Sequence, residues 1–480
     1  MAQNRLWITW QLDPQSSAYN IPGALRLRGE LDQDALRASF QQLIERHESL
    51  RTRFFERDDV ALQQIDSTAE FNLQLIDISD LPAVEREARA LQIREDEART
   101  QFDLEKGPLL WVTLVRLDDE DHQLLVTLHH IIADGWSLNV LIDEFSRLYA
   151  AASQGQNATL AALPTHYADY GSWQRQWLAQ GEGERQLAYW KAQLGDEHPT
   201  LTLATDHSRS TQHSHSAARH SIKLGATLSD AIRQTAQAHE STTFMLLLTA
   251  FQSLLHRYSG QRDIRIGVPN ANRPRLETQG LIGFFINTQV LRAEVDPRQP
   301  FVDLLAQVRQ AALGAQAHQD LPFEQLLEAF PQAREQGLFQ VMFNHQQRDL
   351  SALKRLPGLL AEELPWHSRE AKFDLQLHSE EDRNGRLSLS FDYASELFDA
   401  ATIERLAEHF SNLLRAVCAQ PHTVIADLPL LTSSELDQQA GWNVAPCTPA
   451  SQWLPQLLHE QVRLTPERIA LIWDGGQLDF

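Results

Sequence analysis

Between Gln123 and Tyr149 the sequence passes from one structural period to another across a single short turn, and that switch constrains the fold more than any other stretch. Gln123 to Leu128 reads as a buried β-strand, with Leu124, Val126 and Leu128 on one face and Leu125 and Thr127 on the other. Beyond the turn, Val140, Leu141, Phe145, Leu148 and Tyr149 recur at helical spacing. The turn itself is His129-His130-Ile131-Ile132-Ala133-Asp134-Gly135-Trp136-Ser137. Alternation groups His130 with Leu128 and His129 with Thr127, so the two rings face opposite ways and only one can enter a given cavity. A histidine at the mouth of a strand is a natural base, because imidazole titrates near neutral pH and need not stand charged. A purely structural reading is also available here, with His129 a hydrogen-bonded strand end and Asp134 a helix N-cap.

The chain has 480 residues, more than one hydrophobic core usually serves, so at least two lobes are expected. A net charge of −22 argues against nucleic acid or an anionic membrane as a general partner. Only five of the 42 basic residues are lysine, which leaves local arginine clusters as the means of docking an acidic partner. Two cysteines, Cys418 and Cys447, offer neither a disulfide framework nor a metal quartet, and a reducing cytoplasm is the expected setting. No run of 18 apolar residues exists, so no membrane span is expected.

Helical patterns are expected over residues 31–50, 83–98, 167–194, 227–239 and 243–257, and strands over 61–65, 73–78, 108–117, 123–128 and 263–268. The charged run 83–98 reads as a solvated face. Residues 197–219 are polar and carry His207, His213 and His215. Without a cysteine or carboxylate cluster they read as a flexible connection between lobes rather than a metal site. Both halves of the chain mix helices and strands in similar proportion, with no sequence repeat.

Further segments extend the reading. They are Ala2-Gln3-Asn4-Arg5-Leu6-Trp7, Arg46-His47-Glu48-Ser49-Leu50-Arg51-Thr52-Arg53-Phe54, Tyr167-Ala168-Asp169-Tyr170-Gly171-Ser172-Trp173 and Ile282-Gly283-Phe284-Phe285-Ile286-Asn287-Thr288. His318-Gln319-Asp320-Leu321-Pro322-Phe323-Glu324 and Phe339-Gln340-Val341-Met342-Phe343-Asn344 follow. In this order, and with the two-histidine turn, they resemble the condensation domain of non-ribosomal peptide synthetases over roughly residues 1–435. The resemblance implies a mixed α/β (α+β) fold of two chloramphenicol-acetyltransferase-like lobes in a V-shaped pseudo-dimer, with the active site in a tunnel between them. The expected domains are 1–195 and 196–440 for the two lobes, a linker at 441–456, and at 457–480 a stretch resembling the truncated start of an adenylation domain. Because Met1 falls inside the family's first motif, the chain is expected to come from a longer polypeptide.

Members of this family join two substrates held as thioesters on phosphopantetheine arms of carrier proteins. The resemblance therefore implies an upstream donor and a downstream acceptor carrier as partners, an adjacent adenylation domain, no directly bound cofactor, no metal and a monomer. By the same resemblance His130 is central, either as general base or by hydrogen-bonding the amine, with His129, Asp134 and Gly135 as its companions. Asp134 is expected to point away from the tunnel and pair with Arg273. Gly135 is read three ways: room for the arm, an amide facing the oxyanion, or a positive φ angle. Asn344, Asn287, Ser137 and Trp136 are expected near the substrates, while Arg46 and Arg51 brace the first lobe.

Both histidines argue against a heterocyclisation domain, which carries aspartates there. An elongation domain is the best fit, with a D-configured donor residue expected. The alternatives are a starter domain that N-acylates an amino acid with a fatty acyl group, and a non-catalytic recruitment domain.

Overall fold

A computed structural model describes residues 2–58, 60–68, 70–209, 216–333, 337–347, 349–365, 371–442 and 453–479. Two compact units result, residues 1–430 and 431–480. Strands of the first unit begin with β1 (Asn20–Gly29), β2 (Thr52–Arg57), β3 (Val60–Ile65), β4 (Leu73–Asp77), β5 (Leu110–Asp118) and β6 (Asp121–His129). They continue with β7 (Ala217–Lys223), β8 (Asp263–Asn270), β9 (Asn287–Glu294), β10 (Val341–Gln347), β11 (Leu359–Glu363), β12 (Leu375–Glu381) and β13 (Leu387–Ala394). One sheet runs β11-β1-β6-β5-β4 and a second β7-β13-β12-β10-β8-β9, while β2 and β3 pair as a hairpin.

Each sheet has its own core. Leu124 and Leu128 of β6 face a core shared with helices Gln33–Arg46 and Gly135–Ala152. Leu125 faces the other side, towards Ala90 and Ile93 of helix Ala83–Ala98. Burial on both faces is why residues 124–126 of this strand form an unbroken apolar run rather than alternating. On the second sheet, Val341, Phe343, Leu375, Leu377, Leu389 and Phe391 pack against helices Thr243–Ser259, Phe301–Ala317 and Ala400–Ala419. The pleat puts Met342, Asn344 and Gln346 on the opposite face of β10.

The two halves interlock. β11 pairs with β1, Leu25 opposite Glu363, so a strand from late in the chain completes the first sheet. In return, Trp190 and Leu194 of helix Gly183–Leu194, with Leu201, belong to the second core. The segment 281–286 enters the first half: Ile282 and Phe284 join its core, and Leu281 and Phe285 pack with Tyr170. Tyr167 Oη donates to the Phe284 carbonyl at 2.6 Å. Gly283 makes this close passage feasible, since a Cβ there would come within 2.2 Å of the Tyr167 ring.

Several expectations change. The helical region 167–194 is broken: helix Tyr167–Trp177 ends in a wide turn where Gly181 takes φ 103°, a conformation open to glycine, before helix Gly183–Leu194. The polar connection is anchored at its start, with Leu201 buried and its N–H donating to Gln340 Oε1 at 2.8 Å. His207 Nε2 lies 2.9 Å from Asp399 Oδ1; His213 and His215 lie outside the described residues. So do Cys447 and most of the linker expected at 441–456. Among the described residues no helix is long and apolar enough to cross a membrane, and no cluster of His, Cys, Asp and Glu could hold a metal ion.

The second unit comprises helices Ser433–Trp442 and Leu454–Leu464 and a hairpin of β14 (Ile469–Trp473) and β15 (Gly476–Asp479). None of its described residues is buried, and Leu454, Leu457, Leu458, Leu471, Ile472 and Trp473 are exposed.

Replacing Gly283 by alanine should displace the Tyr167 ring and lower stability by about 1–3 kcal/mol, as overpacking does elsewhere. Thermal unfolding of Gly283→Ala against wild type measures this; an unchanged melting temperature would contradict it.

Candidate active site

The two-histidine turn is built by three local devices. β6 ends at His129, residues His130–Ile132 make a 3-10 turn, and Asp134 then caps helix Gly135–Ala152 by accepting from Ser137 N at 2.8 Å. The β1–β6 ladder continues one step beyond its last paired strand residues, the His130 N–H donating to the Tyr19 carbonyl at 2.8 Å. From the N-terminal helix Ala2–Leu12, Gln3 Nε2 donates to the Ile131 carbonyl at 2.6 Å. Ile131, Ile132 and Ala133 are fully buried, which anchors the turn in the first core.

The two histidines have opposite tautomers for opposite reasons. His130 Nδ1 lies 3.0 Å from the Ala133 carbonyl. A carbonyl only accepts, so Nδ1 carries the proton and Nε2 presents a bare lone pair. The ring stands edge-on to Phe284, 5.5 Å between centroids. Burial, and next the charge of Lys372, push its pKa down to about 3, so the imidazole is neutral at physiological pH. His129 Nδ1 instead accepts from the Ile131 N–H at 3.1 Å, and its ring lies edge-on to Phe102 at 5.9 Å. Burial followed by Lys372 lowers it to about 3 as well. His129, expected among the catalytic group, therefore sits as a buried neutral cap on the turn.

Behind the turn lies a dehydrated polar network. Asp134 and Arg273 have side chains only 1% exposed, and Nη2 of Arg273 donates to Asp134 Oδ1 at 3.0 Å. Asp134 also accepts from Ser137 Oγ at 2.7 Å and from Phe285 N at 3.0 Å. Arg273 Nη1 donates to the carbonyls of Thr278 and Leu281 at 2.8 and 2.6 Å, and its guanidinium stacks 3.9 Å above Phe285. Burial lowers the Arg273 pKa, opposed by Asp134. Ser137, expected near the substrates, is instead consumed here: its hydroxyl lies 2.9 Å from the Gly283 carbonyl and accepts from Gly283 N at 3.1 Å. Trp136, 41% exposed, donates through Nε1 to the Gln279 carbonyl at 2.8 Å, tying the same segment down from outside.

The remaining expected residues divide. Asn287, also expected to position substrate, has no capacity left for one. It donates to the carbonyls of Gln319 and Leu321 at 2.8 and 2.7 Å and accepts from Phe323 N at 3.1 Å and Thr288 N at 3.0 Å. It pins the 318–323 loop. Asn344 is half-buried on the β10 face shared with Gln346, whose Nε2 lies 3.6 Å from where a Cβ on Gly135 would stand. Asn344 thus faces the turn's side of the second sheet. Gly135 is the first helical residue, without a positive φ, so that reading of the glycine does not apply. Arg46 Nε reaches both Glu144 oxygens at 3.1 Å and Nη2 reaches the Ala161 carbonyl at 2.6 Å, while Arg51 binds the Asp66 carbonyl.

Three contacts were not among the expectations drawn from the sequence. Lys372 sits 4.6 Å above the Tyr19 ring. Arg5 Nε lies 3.4 Å from Glu324 Oε1, an ion pair joining the N-terminal helix to helix Phe323–Glu328. His47 Nε2 lies 2.7 Å from Glu144 Oε2, in the buried cluster that Arg46 completes.

Removing either half of the buried pair, or either ring, should be measurable. Arg273→Met should cost about 3–5 kcal/mol, because Asp134 is left charged without its partner, and the loss reads out in urea unfolding. A loss below about 1 kcal/mol would show that water reaches the pair. The unfolded histidines, for their part, take up protons near pH 6.5 while the folded ones wait until about 3. Their contribution is complete above pH 6.5 and drains as pH falls below it. His129→Gln should therefore lose less melting temperature than wild type between about pH 7 and pH 5; equal losses would contradict a buried neutral ring.

Comparison with known proteins places this geometry. Residues 1–439 match the family model described as the condensation domain. The chain is 44% identical over 491 aligned positions to one of the proteins that make up the linear gramicidin synthase of Brevibacillus parabrevis, a match covering 100% of the chain but 6% of that protein. It therefore spans a small fraction of the length of such relatives. Among solved structures, the X-domain from teicoplanin biosynthesis superposes with a TM-score of 0.79 at 26% identity, covering 90% of this chain and 96% of that one. A four-domain non-ribosomal peptide synthetase superposes at 0.82 and 20% identity, over 100% of this chain and 37% of that one, showing a shared mixed α/β fold. This chain belongs to the condensation domain family.

Proposed function

We propose that this domain forms peptide bonds between two substrates carried as thioesters on phosphopantetheine arms, in the manner of an elongation domain of non-ribosomal peptide synthesis. The observation that carries the reading is the single bare lone pair of His130 Nε2, held in one tautomer by Ala133 and kept neutral by burial. The acceptor's amine attacks the donor's thioester carbonyl; the C–N bond forms, the C–S bond breaks, and the donor thiolate leaves and takes up a proton. The thioester is already activated, so positioning of the two ends supplies much of the rate, up to about 7–11 kcal/mol in ideal cases.

His130 serves this reaction chiefly as a hydrogen-bond acceptor. Burial holds the basicity of the ring well below that of an ordinary imidazole, which disfavours full proton transfer to it. The same enclosure also disfavours the charged ammonium, so the amine reaches Nε2 largely neutral. Gly135 leaves room beside the turn, and its amide, the first of its helix, has no partner among the described residues and is offered to the developing oxyanion. Asn344 faces the same side and is assigned to orient a substrate. Asp134, Ser137 and Arg273 hold the turn and touch no reactant.

The partners in this reading are a donor and an acceptor carrier protein. Residues 457–480 are assigned to the opening of an adenylation domain, and the setting to the cytoplasm.

The test is single-turnover condensation with two loaded carriers, read by intact-protein mass spectrometry, using L- and D-terminated donors. Wild type should yield product on the acceptor carrier, the D donor preferred. His130→Ala should slow it by roughly 10- to 100-fold, less than the 10²–10⁴ typical of a lost general base. Complete loss with every acceptor, while the carriers still bind, would return the base role to His130. No wild-type product from aminoacyl donors, with transfer from a fatty acyl donor, would replace this reading by a starter domain.

A further inference from the structure

Helices cover one face of the second sheet, where Phe343, Leu377 and Phe391 are fully buried in the core. Asn344, His378 and Ser390 alternate with them and so project from the opposite face, each half-buried. Register sets them in one row: Asn344 of β10 beside His378 of β12, His378 opposite Ser390 of β13, and Ser390 opposite Ser221 of β7. The hydroxyls of Ser390 and Ser221 bond each other at 2.8 Å. Along this row the Asn344 amide and His378 Nδ1 are left with no partner among the described residues.

The other nitrogen of His378 is held. Nε2 stands 3.1 Å from Oδ2 of Asp392, and Arg219, the register partner of Asp392, donates to both carboxylate oxygens. Burial works to raise the Asp392 carboxyl, but Arg219 and then His378 outweigh it and hold it at about 2. A carboxylate only accepts, so in the neutral ring the proton sits on Nε2 and Nδ1 is a lone pair. Arg219 by itself balances Asp392, so the ring is not required there for charge.

This face looks onto the histidine turn. Gln346, two residues along β10 from Asn344, has Nε2 3.6 Å from where a Cβ on Gly135 would stand. Two residues advance a strand by about 7 Å and neighbouring strands lie about 5 Å apart, so His378 is within reach of a chain lying along this wall from Gly135.

We propose that His378, oriented by Asp392, is a substrate-binding residue of this wall: its Nδ1 accepts a hydrogen bond from a secondary amide N–H of a tethered substrate, with Asn344 beside it donating to a carbonyl of the same chain. This deepens the peptide-bond reading and rests on it. Secondary amides are the N–H donors that a phosphopantetheine arm and a peptidyl donor both carry away from the reacting ends. A ring already fixed by a carboxylate loses little further freedom on meeting such a group, so the contact holds the chain in line without joining the chemistry.

The experiment is single-turnover condensation in which one amide N–H at a time is replaced by an ester oxygen, in the peptide bond of a dipeptidyl donor or in an amide of either arm. For each protein the readout is the ratio of the amide rate to the ester rate, from which any loss of folded protein cancels. At one of these positions the wild-type ratio should exceed that of His378→Leu by about two- to tenfold, the range of one neutral hydrogen bond. His378→Asn, whose Oδ1 can stand near the place of Nδ1, should keep the wild-type ratio. A ratio that falls in His378→Leu at the peptide bond puts the subsite on the donor peptide, and one that falls at an arm amide puts it on the arm; either supports the inference. Equal ratios in His378→Leu and wild type at every position would overturn it while leaving peptide-bond formation standing. Absence of wild-type product would overturn the peptide-bond reading and this inference with it.

Discussion

The buried pair of Asp134 and Arg273 is the interaction on which the site's geometry depends. Two full charges removed from water are tolerable only when every lone pair and proton is met, and here the surroundings do so almost completely. Asp134 receives Arg273, two groups of Ser137 and the amide of Phe285; Arg273 reaches Thr278, Leu281 and Asp134 at once. Exchanging such a pair for apolar residues can be neutral for stability, so its importance lies in specification. It allows one register between the histidine turn and the 273–285 segment. A slip would leave a charge uncompensated.

The chemistry of His130 follows from that register. Phe284, delivered by the same segment, closes against the ring, and the Ala133 carbonyl selects the tautomer. Enclosure then does two things together: it removes the charged form of the imidazole and leaves one directional acceptor. The two adjacent histidines are equally depressed in basicity, yet only one has its free nitrogen turned away from the backbone of its own turn.

Much of this was legible in the residue pattern. The two-faced apolarity of β6, the helix behind it and the opposite facing of the two histidines all come from local period, which needs no tertiary information. Asp134 shows how two readings can both hold: it caps its helix as a structural residue would, and the same carboxylate meets Arg273. Asn287 and Ser137 were misplaced for a common reason. A polar side chain beside a site is indistinguishable in sequence from one inside it, and only the packed structure reveals that their hydrogen-bonding capacity is already spent. Lys372 was invisible because a lone lysine before a strand has no local signature. Its partner is Tyr19, far away at the other end of the chain.

The sequence by itself determined the buried strand, the capped helix behind it and the motif order that identifies the family, because these rest on short-range periodicity and on residues kept in fixed local turns. Tertiary structure alone decided how the halves exchange parts. β11 completes a sheet otherwise built from the first part of the chain, and Ile282 and Phe284 enter the first core past a glycine that admits Tyr167. It also decided which polar groups are spent on bracing and which nitrogen remains free. Those outcomes depend on long-range packing and on the removal of water, neither of which is encoded in any single window of residues.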